Sequence, residues 1–563
     1  MSGYARVATA GTPPTRRARA DQVPNQGGGF SFMADDWTRL ERFLILGVES
    51  PTYYASREQT IQSSVTLLDK LLKVDGPRVV ETVVEVSTGG RAPKNDPAVF
   101  VLAYASARGD DATRTAAALA LSKVCRIGTD LFAWAEARKK LGAGWGRRTV
   151  RAVSAWYLDK SVEDLAYQVI KYQGRQTDGA GSRWTHADLL ASAHVKTNDQ
   201  QRQAIFRWVV GADLGDRVIS RRKANGEMLK AHYGAVGALP DRITAFERMK
   251  TASTSAEIVR LVSDYNMPRE CVPTQWLNDP SVWDALLCAG HGMPLRAMVR
   301  NLGKMTSIGL IAPMSDAAKF VAKQLTNGEV LRRARVHPLA ILTALLTYKN
   351  GRGVKGSLSW SPEQMVLSAL DTGFYEAFKQ AEPTDKNWLL GLDVSSSMGG
   401  GTVAGIPGFT PAMGTAAMAL MLARVENSHH IYGFAHTFKD LGITARDHLG
   451  DAMRKVHDHN FGSTNCALPM EWALEKKVPV DVFVVMTDSE VNSGRSHPFQ
   501  ALKAYRQGMG RPAKMITVGM VVNDFTIADP EDGGMLDVVG FDANAAQFMT
   551  DFARDKVTAT IEE

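Results

Sequence analysis

Through the first two-thirds of the chain, apolar residues recur at helical spacing, as in Val65, Leu68, Leu71 and Leu72 and again in Leu119, Leu121, Val124 and Cys125, with short polar breaks between the runs. From about Asp36 to Asp371 convincing strand patterns are nearly absent. A helical stretch of roughly 330 residues is too long for one simple bundle. Stacked helix pairs of about 40 to 47 residues would divide it into roughly seven or eight units, with no repeated sequence to mark them.

After Glu382-Pro383-Thr384 the pattern changes to strand, turn and helix in alternation. Trp388–Leu392 reads as a short strand, Thr410–Val425 as a helix, His430–Phe434 as a strand, and His448–Val456 and Ala467–Lys476 as helices. The uninterrupted apolar run Val482–Met486 reads as a buried strand, followed by a helix near Phe499–Arg506 and a strand at Met515–Val521. Such alternation predicts a doubly wound α/β domain, a parallel sheet with helices on both faces and ligands gathered at the carboxyl ends of its strands. The expected organisation is a flexible arm over residues 1–35, a helical-repeat domain over 36–371, a linker over 372–386 and an α/β domain over 387–563. The arm is inferred from Pro13-Pro14, Arg16, Arg17, Arg19 and Gly27-Gly28-Gly29, a composition too poor in apolar residues to fold alone.

At 45% hydrophobic and 22% charged, the 563 residues can bury a large core. That balance excludes disordered, collagen-like and bilayer-embedded chains. Cys125, Cys271, Cys288 and Cys466 lie far apart with no Cys-x-x-Cys, so neither a disulfide framework nor a cysteine zinc site is expected, and a reducing compartment is. No apolar run approaches the ~20 residues of a membrane span, and the N-terminus lacks the apolar core of a signal peptide. A cytoplasmic protein without a membrane partner is the expectation. Charge adds an asymmetry that the total of 66 Lys and Arg against 59 Asp and Glu conceals. From Thr372 onward there are 16 basic and 24 acidic residues, a net of −8, whereas Met1 to Asp371 carries 50 against 35, a net of +15. If one part of the molecule meets a polyanion, it is the helical part; the alternative is a solvated basic surface with no such partner.

Two constellations carry chemistry. The strand at Leu389–Leu392 runs into Asp393-Val394-Ser395-Ser396-Ser397, which presents one carboxylate and two hydroxyls. Gly462-Ser463-Thr464 opens a helical segment, and the buried strand at Val482 ends in Thr487-Asp488. Few carboxylates, several hydroxyls and room for water suit a divalent metal ion, with Mg²⁺ the expected one, that keeps an open position for an acidic ligand. Ser395 does not lie in Gly-x-Ser-x-Gly and no triad order follows it, so a serine hydrolase is rejected and no catalytic residue is assigned. The second constellation is basic. Arg147, Arg148 and Arg151 follow Trp145 near one helix face with Trp156 and Tyr157 beyond; Lys171-Tyr172-Gln173-Gly174-Arg175 precedes Arg183-Trp184-Thr185-His186; and Arg296, Arg300 and Lys304 recur every four residues opposite Leu295, Met298, Val299 and Leu302. Cations interleaved with aromatics suit single-stranded nucleic acid, whose phosphates need charge and whose unstacked bases need flat partners. The competing reading makes the tryptophans the glue between helix pairs. His186 is open to both, as a satisfied core residue or as an imidazole turned toward RNA.

The turn from Asp393 with Thr464 and Asp488 resembles the metal-ion-dependent adhesion site of von Willebrand factor A domains. That resemblance implies coordination by Asp393, Ser395 and Ser397, by Thr464 directly or through water, with Asp488 close by; Ser396 replaces the usual glycine. Further upstream, Trp145-Gly146-Arg147, Trp156-Tyr157, Lys171-Tyr172, Trp184-Thr185-His186-Ala187-Asp188-Leu189-Leu190, Arg300-Asn301-Leu302-Gly303-Lys304-Met305 and His337-Pro338 followed by Tyr348-Lys349 together resemble the TROVE domain of the Ro autoantigen family. The resemblance runs from about Asp36 to the C-terminus. It implies an all-α ring of HEAT-like repeats followed by a von Willebrand A domain, a ribonucleoprotein scaffold of RNA quality control. In that family the ring binds single-stranded 3′ ends of defective RNAs in its central hole and a small noncoding Y RNA on its basic outer surface. Matching RNA contacts here would be Lys171, Arg175 and His186, with Arg147 a further candidate; Gly174-Arg175 and an insertion at Thr177–Ser182 depart from the compact family spacing. In bacterial relatives a Y RNA tethers the protein to a 3′ exoribonuclease such as polynucleotide phosphorylase. The alternative expectation is a protein-binding adaptor whose metal site captures an acidic side chain while the helices serve as a platform.

Overall fold

Short polar residues start many of the helices by capping orphan N–H groups, as Asp110, Ser161, Thr254 and Ser315 do for the helices that follow them. In the computed structural model the chain is described over residues 11–47, 57–172, 184–211, 238–288, 292–334, 336–353, 357–377, 383–400, 403, 409–457, 462–539 and 543–556. Its first part contains α1 (Asp36–Leu46), α2 (Arg57–Gly89), α3 (Asp96–Arg108), α4 (Asp111–Val124), α5 (Gly128–Lys140), α6 (Arg147–Leu158), α7 (Val162–Lys171), α8 (His186–Ala193) and α9 (Gln200–Val210). Then follow α10 (Asp241–Thr251), α11 (Ser255–Tyr265), α12 (Pro280–Cys288), α13 (Leu295–Ser307), α14 (Asp316–Leu325), α15 (Gly328–Arg333), α16 (Pro338–Lys349) and α17 (Gln364–Glu376). Helix α2 breaks at Asp75 (φ −155°, ψ 81°), two residues before Pro77, whose ring and missing N–H cannot continue a straight helix.

The helices pack mainly on those one to three places along the chain: α2 on α3 and α4, α4 on α6, α6 on α8, α14 and α16 on α17. This is the stacking of a solenoid, in which every unit buries its apolar face on its neighbours. One reading of that face is corrected: Leu119 is 76% exposed, and α4 buries Ala117, Ala120, Leu121 and Val124 instead. The arc returns on itself. His337, at the start of α16, hydrogen-bonds through Nε2 to the carbonyl of Arg91 at 3.0 Å, and Arg91 pairs with Glu41 of the segment before it at 3.1 Å. Among the described helices none is long and apolar enough to cross a membrane.

The second part is built on β3 (Asn387–Asp393), β4 (Ser428–Phe434), β5 (Phe438–Asp440), β6 (Val482–Thr487), β7 (Lys514–Gly519) and β9 (Met535–Val539), in spatial order β5-β4-β3-β6-β7-β9. Alternate residues of the apolar strands serve opposite layers. Leu389, Phe483 and Val485 pack with α20 (Leu468–Lys476) and α21 (Pro498–Met509). Leu390, Leu392, Val484 and Met486 share the core that contains α18 (Pro411–Val425), α19 (Leu449–His457) and α22 (Ala543–Ala553). A run buried on both faces is what a central parallel strand requires. The sheet is mixed rather than wholly parallel, because β5 folds back antiparallel on β4 with Phe434 opposite Phe438.

The N-terminal segment is no mobile arm from residue 11 onward. Its strands β1 (Val23–Pro24) and β2 (Phe30–Met33) pair with each other, and β2 continues antiparallel onto β8 (Phe525–Thr526), with Phe32 opposite Thr526. Polar contacts hold the rest. Arg19 pairs with Asp529 at 2.7 Å, Gln22 meets His497 Nδ1 at 3.1 Å, and the Asn25 amide donates to the Val491 carbonyl at 2.8 Å. Farther on, the fully buried Arg42 of α1 reaches Asp537 of β9 at 2.7 Å and the Phe525 carbonyl at 2.8 Å. The α/β layer is thus completed by residues from the opposite end of the sequence. A Cβ on Gly29 would lie 1.9 Å from the Val491 carbonyl oxygen. We expect Gly29→Val to detach the segment, giving rapid tryptic cleavage at Arg16 and Arg17 where the parent protein resists; equal resistance would show that the close approach is dispensable.

Candidate functional site

Adjacent parallel strands β3 and β6 end at the same edge of the sheet, which brings Asp393 and Asp488 together at their carboxyl ends. This is the crevice where ligands of such sheets gather, since β3 has the next strand on one side and a later one on the other. Asp393 is completely buried; its Oδ1 accepts from the Ser395 N–H at 2.9 Å and its Oδ2 from the Thr487 hydroxyl at 2.6 Å. Ser395 and Ser397 lie with hydroxyls 3.1 Å apart, and Ser397 also hydrogen-bonds Asp488. Thr464 is buried beside them, its N–H bonded to Asn492 Oδ1 at 2.8 Å and its carbonyl accepting from Asn492 and Ser493. Asp393, Ser395, Ser397 and Asp488 thus share one hydrogen-bonded network that includes Thr487, and Thr464 lies on the segment whose Gly462 and Cys466 meet Ser396 and Thr487. Ser396 points to solvent and donates to the Gly462 carbonyl at 3.2 Å, so its side chain occupies no ligand position.

Burial pushes both carboxyls above their usual range, and at Asp393 the neighbouring Asp488 adds to the rise. Among the described residues neither has a basic partner. Two buried like charges lined with hydroxyls and lacking a counter-cation form a donor set of hard oxygens that fits a small divalent ion. Thr487, whose hydroxyl the sequence offers at the end of the buried strand, serves to hold Asp393 in place.

The basic candidates divide over separate surfaces. On α6, Ala152, Val153, Trp156 and Tyr157 face the core while Arg147 and Arg151 are exposed and Arg148 pairs with the exposed Asp111 at 2.9 Å. Helix α13 has the expected division, with Leu295, Met298, Val299 and Leu302 buried, Arg296 and Arg300 exposed and Lys304 bonded to Asn278 at 2.7 Å. Arg126, which follows α4, interacts electrostatically with Arg296, so the chain's return adds a cation that spacing could not have supplied. Lys171 ends α7 half-buried over the rings of Tyr167 and Tyr172, at 5.3 and 5.6 Å. Arg175 and Arg183 lie outside the described residues.

His186 is corrected to a core position. It follows Thr185, whose capping box with Asp188 starts α8, and is 3% exposed among Phe132, Trp156 and Tyr157, with Nδ1 2.9 Å from the Tyr157 hydroxyl. Burial drops its pKa to about 3, against a smaller opposing pull from the Gln168 backbone, so the ring is neutral. Trp156 and Tyr157 are likewise fully buried, the Trp156 indole donating to the Cys125 carbonyl. Neither offers a stacking face to a base. Trp145 and Trp184, 5.5 Å apart, remain partly exposed.

Residues 23–237 and 264–346 match the TROVE domain, and residues 387–553 match the Ro60 vWA domain. A Deinococcus radiodurans protein named RNA-binding protein RO60 is 40% identical over 547 residues, covering 97% of this chain and 98% of that one. A Caenorhabditis elegans protein of the same name is 32% identical over 604 residues, covering 96% and 91%. The crystal structure of the Deinococcus radiodurans Ro (RSR) protein, 38% identical, covers 93% of this chain and all of its own with a TM-score of 0.65. With both domains matched in order and relatives aligned along nearly their whole length, the chain belongs to the Ro60 family of TROVE and vWA domain proteins.

Proposed function

We propose that this protein is a non-catalytic RNA-binding scaffold of RNA quality control. In this reading a small noncoding Y RNA lies on the basic outer surface, single-stranded 3′ ends of defective RNAs enter the central cavity of the helical ring, and a 3′ exoribonuclease such as polynucleotide phosphorylase is recruited through the Y RNA. The observation that supports it most is the end-to-end similarity to two proteins named for RNA binding, joined to exposed arginines on α6 and α13 within a stretch, Met1 to Asp371, of net charge +15. Phosphate contacts of that kind position RNA and release counterions. We assign the contacts to Arg147, Arg148, Arg151, Lys171, Arg296 and Arg300, with Arg175 and Arg183 as further candidates read from the sequence.

In the vWA domain, Mg²⁺ would be held by Asp393, Ser395, Ser397, Thr464 and Asp488 and would offer an open coordination position to a carboxylate. These residues orient one another through the bonds described above and keep both carboxyls buried, which favours capture of an acidic protein side chain as a second, separate activity.

Filter binding of a structured small RNA across a salt series tests the first reading. The affinity of the parent protein should fall steeply with salt, and Arg151→Glu with Lys171→Glu should weaken binding at least about tenfold and flatten the salt slope by roughly one unit for each phosphate no longer neutralised. Folded protein with salt-independent or unchanged affinity would remove RNA from the reading and leave the adaptor.

A further inference from the structure

We infer that the cleft between α4, α5 and the start of α6 is a binding site for a phosphate group. The cleft has a volume of about 410 Å³ and is lined by Arg114, Trp134, Arg138, Gly146, Arg147 and Arg148, among others. That space accepts a phosphate together with an attached group of nucleoside size.

Arg138 carries the argument. It is 6% exposed, and its guanidinium is held by neutral groups: the Ser106 hydroxyl at 2.6 Å, the Gly144 carbonyl at 2.9 Å and the Thr149 hydroxyl at 3.1 Å, with the Trp134 ring beneath it at 5.0 Å. Among the described residues no carboxylate pairs with it. Burial, and then the charge of Arg114, both oppose its own charge. A buried guanidinium facing another cation is costly unless an anion shares the space. No carboxylate among the described residues lines the cleft: Asp111 engages Arg148 at the exposed rim, and Asp110 accepts from the Thr113 N–H at the head of α4.

Two further features point the same way. Helix α6 begins at Gly146 with no side-chain cap and with Arg147 and Arg148, not acids, in its first turn. Its free N–H groups and positive dipole end are thus reinforced by cations, an arrangement that favours a bound anion. Trp134 is 2% exposed, yet its indole N–H has no acceptor among the described residues. A phosphate oxygen in the cleft supplies acceptors for both the guanidinium and the helix terminus, and bidentate arginine contacts suit its geometry. The inference rests on the cleft alone: phosphate binding by a chain with no affinity for RNA would leave it standing.

Calorimetry of the full-length protein with inorganic phosphate, against chloride of equal ionic strength, is the test. Saturable binding to one site is expected, weakened at least about tenfold in Arg114→Gln with Arg147→Gln. Both side chains lie outside the core, so an unchanged unfolding temperature will verify the fold. Trp134→Phe, which keeps the ring and deletes the N–H, should weaken binding by a smaller factor. Absence of saturable binding at millimolar phosphate, or equal affinity in the folded double variant, overturns the site. Competition then separates the sources. Displacement of phosphate by 5′-phosphorylated but not 5′-hydroxyl triuridylate identifies an RNA terminus, equal displacement by both identifies the internal backbone, and displacement by uridine monophosphate alone identifies a free nucleotide.

Discussion

Replacing Asp393 by alanine is expected to abolish Mg²⁺ binding while leaving RNA affinity within about twofold. Asp393 and Asp488 supply the only two formal charges of the five-residue set, and the loss of groups that merely orient metal ligands already costs about 10–100-fold in affinity. Removing a carboxylate ligand should exceed that range. The same change has an opposite effect on the metal-free protein. It deletes one of two buried, mutually repelling carboxyls, so the unfolding temperature without metal should stay level or rise, while the increase produced by Mg²⁺ in the parent protein disappears. Calorimetric titration and thermal melts with and without Mg²⁺ read both effects; equal Mg²⁺ affinity in the variant would exclude this crevice as the metal site.

Acid should loosen the helical ring well before it protonates ordinary carboxylates. His186 and His337 are almost fully buried, and burial holds both near a pKa of about 3. At His337 the hydrogen bonds explain which form is held: Nε2 donates to the Arg91 carbonyl while Nδ1 accepts from the Leu339 N–H, and a protonated ring has no acceptor left for the second bond. A histidine whose folded pKa lies below its unfolded value near 6.5 contributes stability that is complete above pH 6.5 and is lost as pH falls below it. At pH 5 the loss is about 2 kcal/mol per histidine, or about 4 for the pair. Asp130, pushed up to about 6 by burial, works in the other direction and returns about 1 kcal/mol over the same interval. Asp393 and Glu490 of the α/β domain, both pushed up to about 7, also return stability on acidification, so urea denaturation at pH 7 and pH 5 isolates the histidine effect as the difference between the parent and a His337 variant. His337→Asn keeps an acceptor for the Leu339 N–H but cannot titrate, and should recover about 2 kcal/mol of the histidine loss. Parallel pH dependence in the variant and the parent would refute the assignment.

The two chemical sites differed in how far the sequence revealed them, for a physical reason. The proposed metal crevice was legible because three of its donors sit within five residues at the end of an apolar strand and Asp488 follows the apolar run of β6, while Thr464 lies in the loop before α20. The same runs located β3, β4, β6 and β7 to within a few residues. Strands β5, β8 and β9 escaped: the first two are three and two residues long, defined by the partner they meet and not by a pattern of their own. His186 shows the limit most clearly. Thr185 and Asp188 mark the start of its helix, but its burial is decided by Phe132 and Tyr157 from other helices. Arg138 was hidden in Arg138-Lys139-Lys140, which as a sequence is an ordinary basic helix end with a solvated surface. Nor could composition reveal that Gln22, Asn25 and Gly29 are ordered, since their partners are His497 and Val491, more than 450 positions away.

The strand pairing of Phe32 with Thr526 also sets a timetable for biosynthesis. Residues 11–33 leave the ribosome long before the strand and loops they cover are made. At about 5–20 residues per second, the wait for nearly 500 intervening residues is roughly 25 to 100 seconds. Throughout that interval the Arg42 side chain, later sealed against Asp537, has no counter-charge to pack on, and the hydrogen-bonding edge of β2 is open to any other nascent strand. Vectorial folding can complete the stacked helices one unit at a time, yet the finished molecule must await an N-to-C closure of very high contact order. Chains truncated or stalled before Phe525 would emerge with a folded solenoid and an adhesive leading end, the species on which chaperone demand for this protein should concentrate.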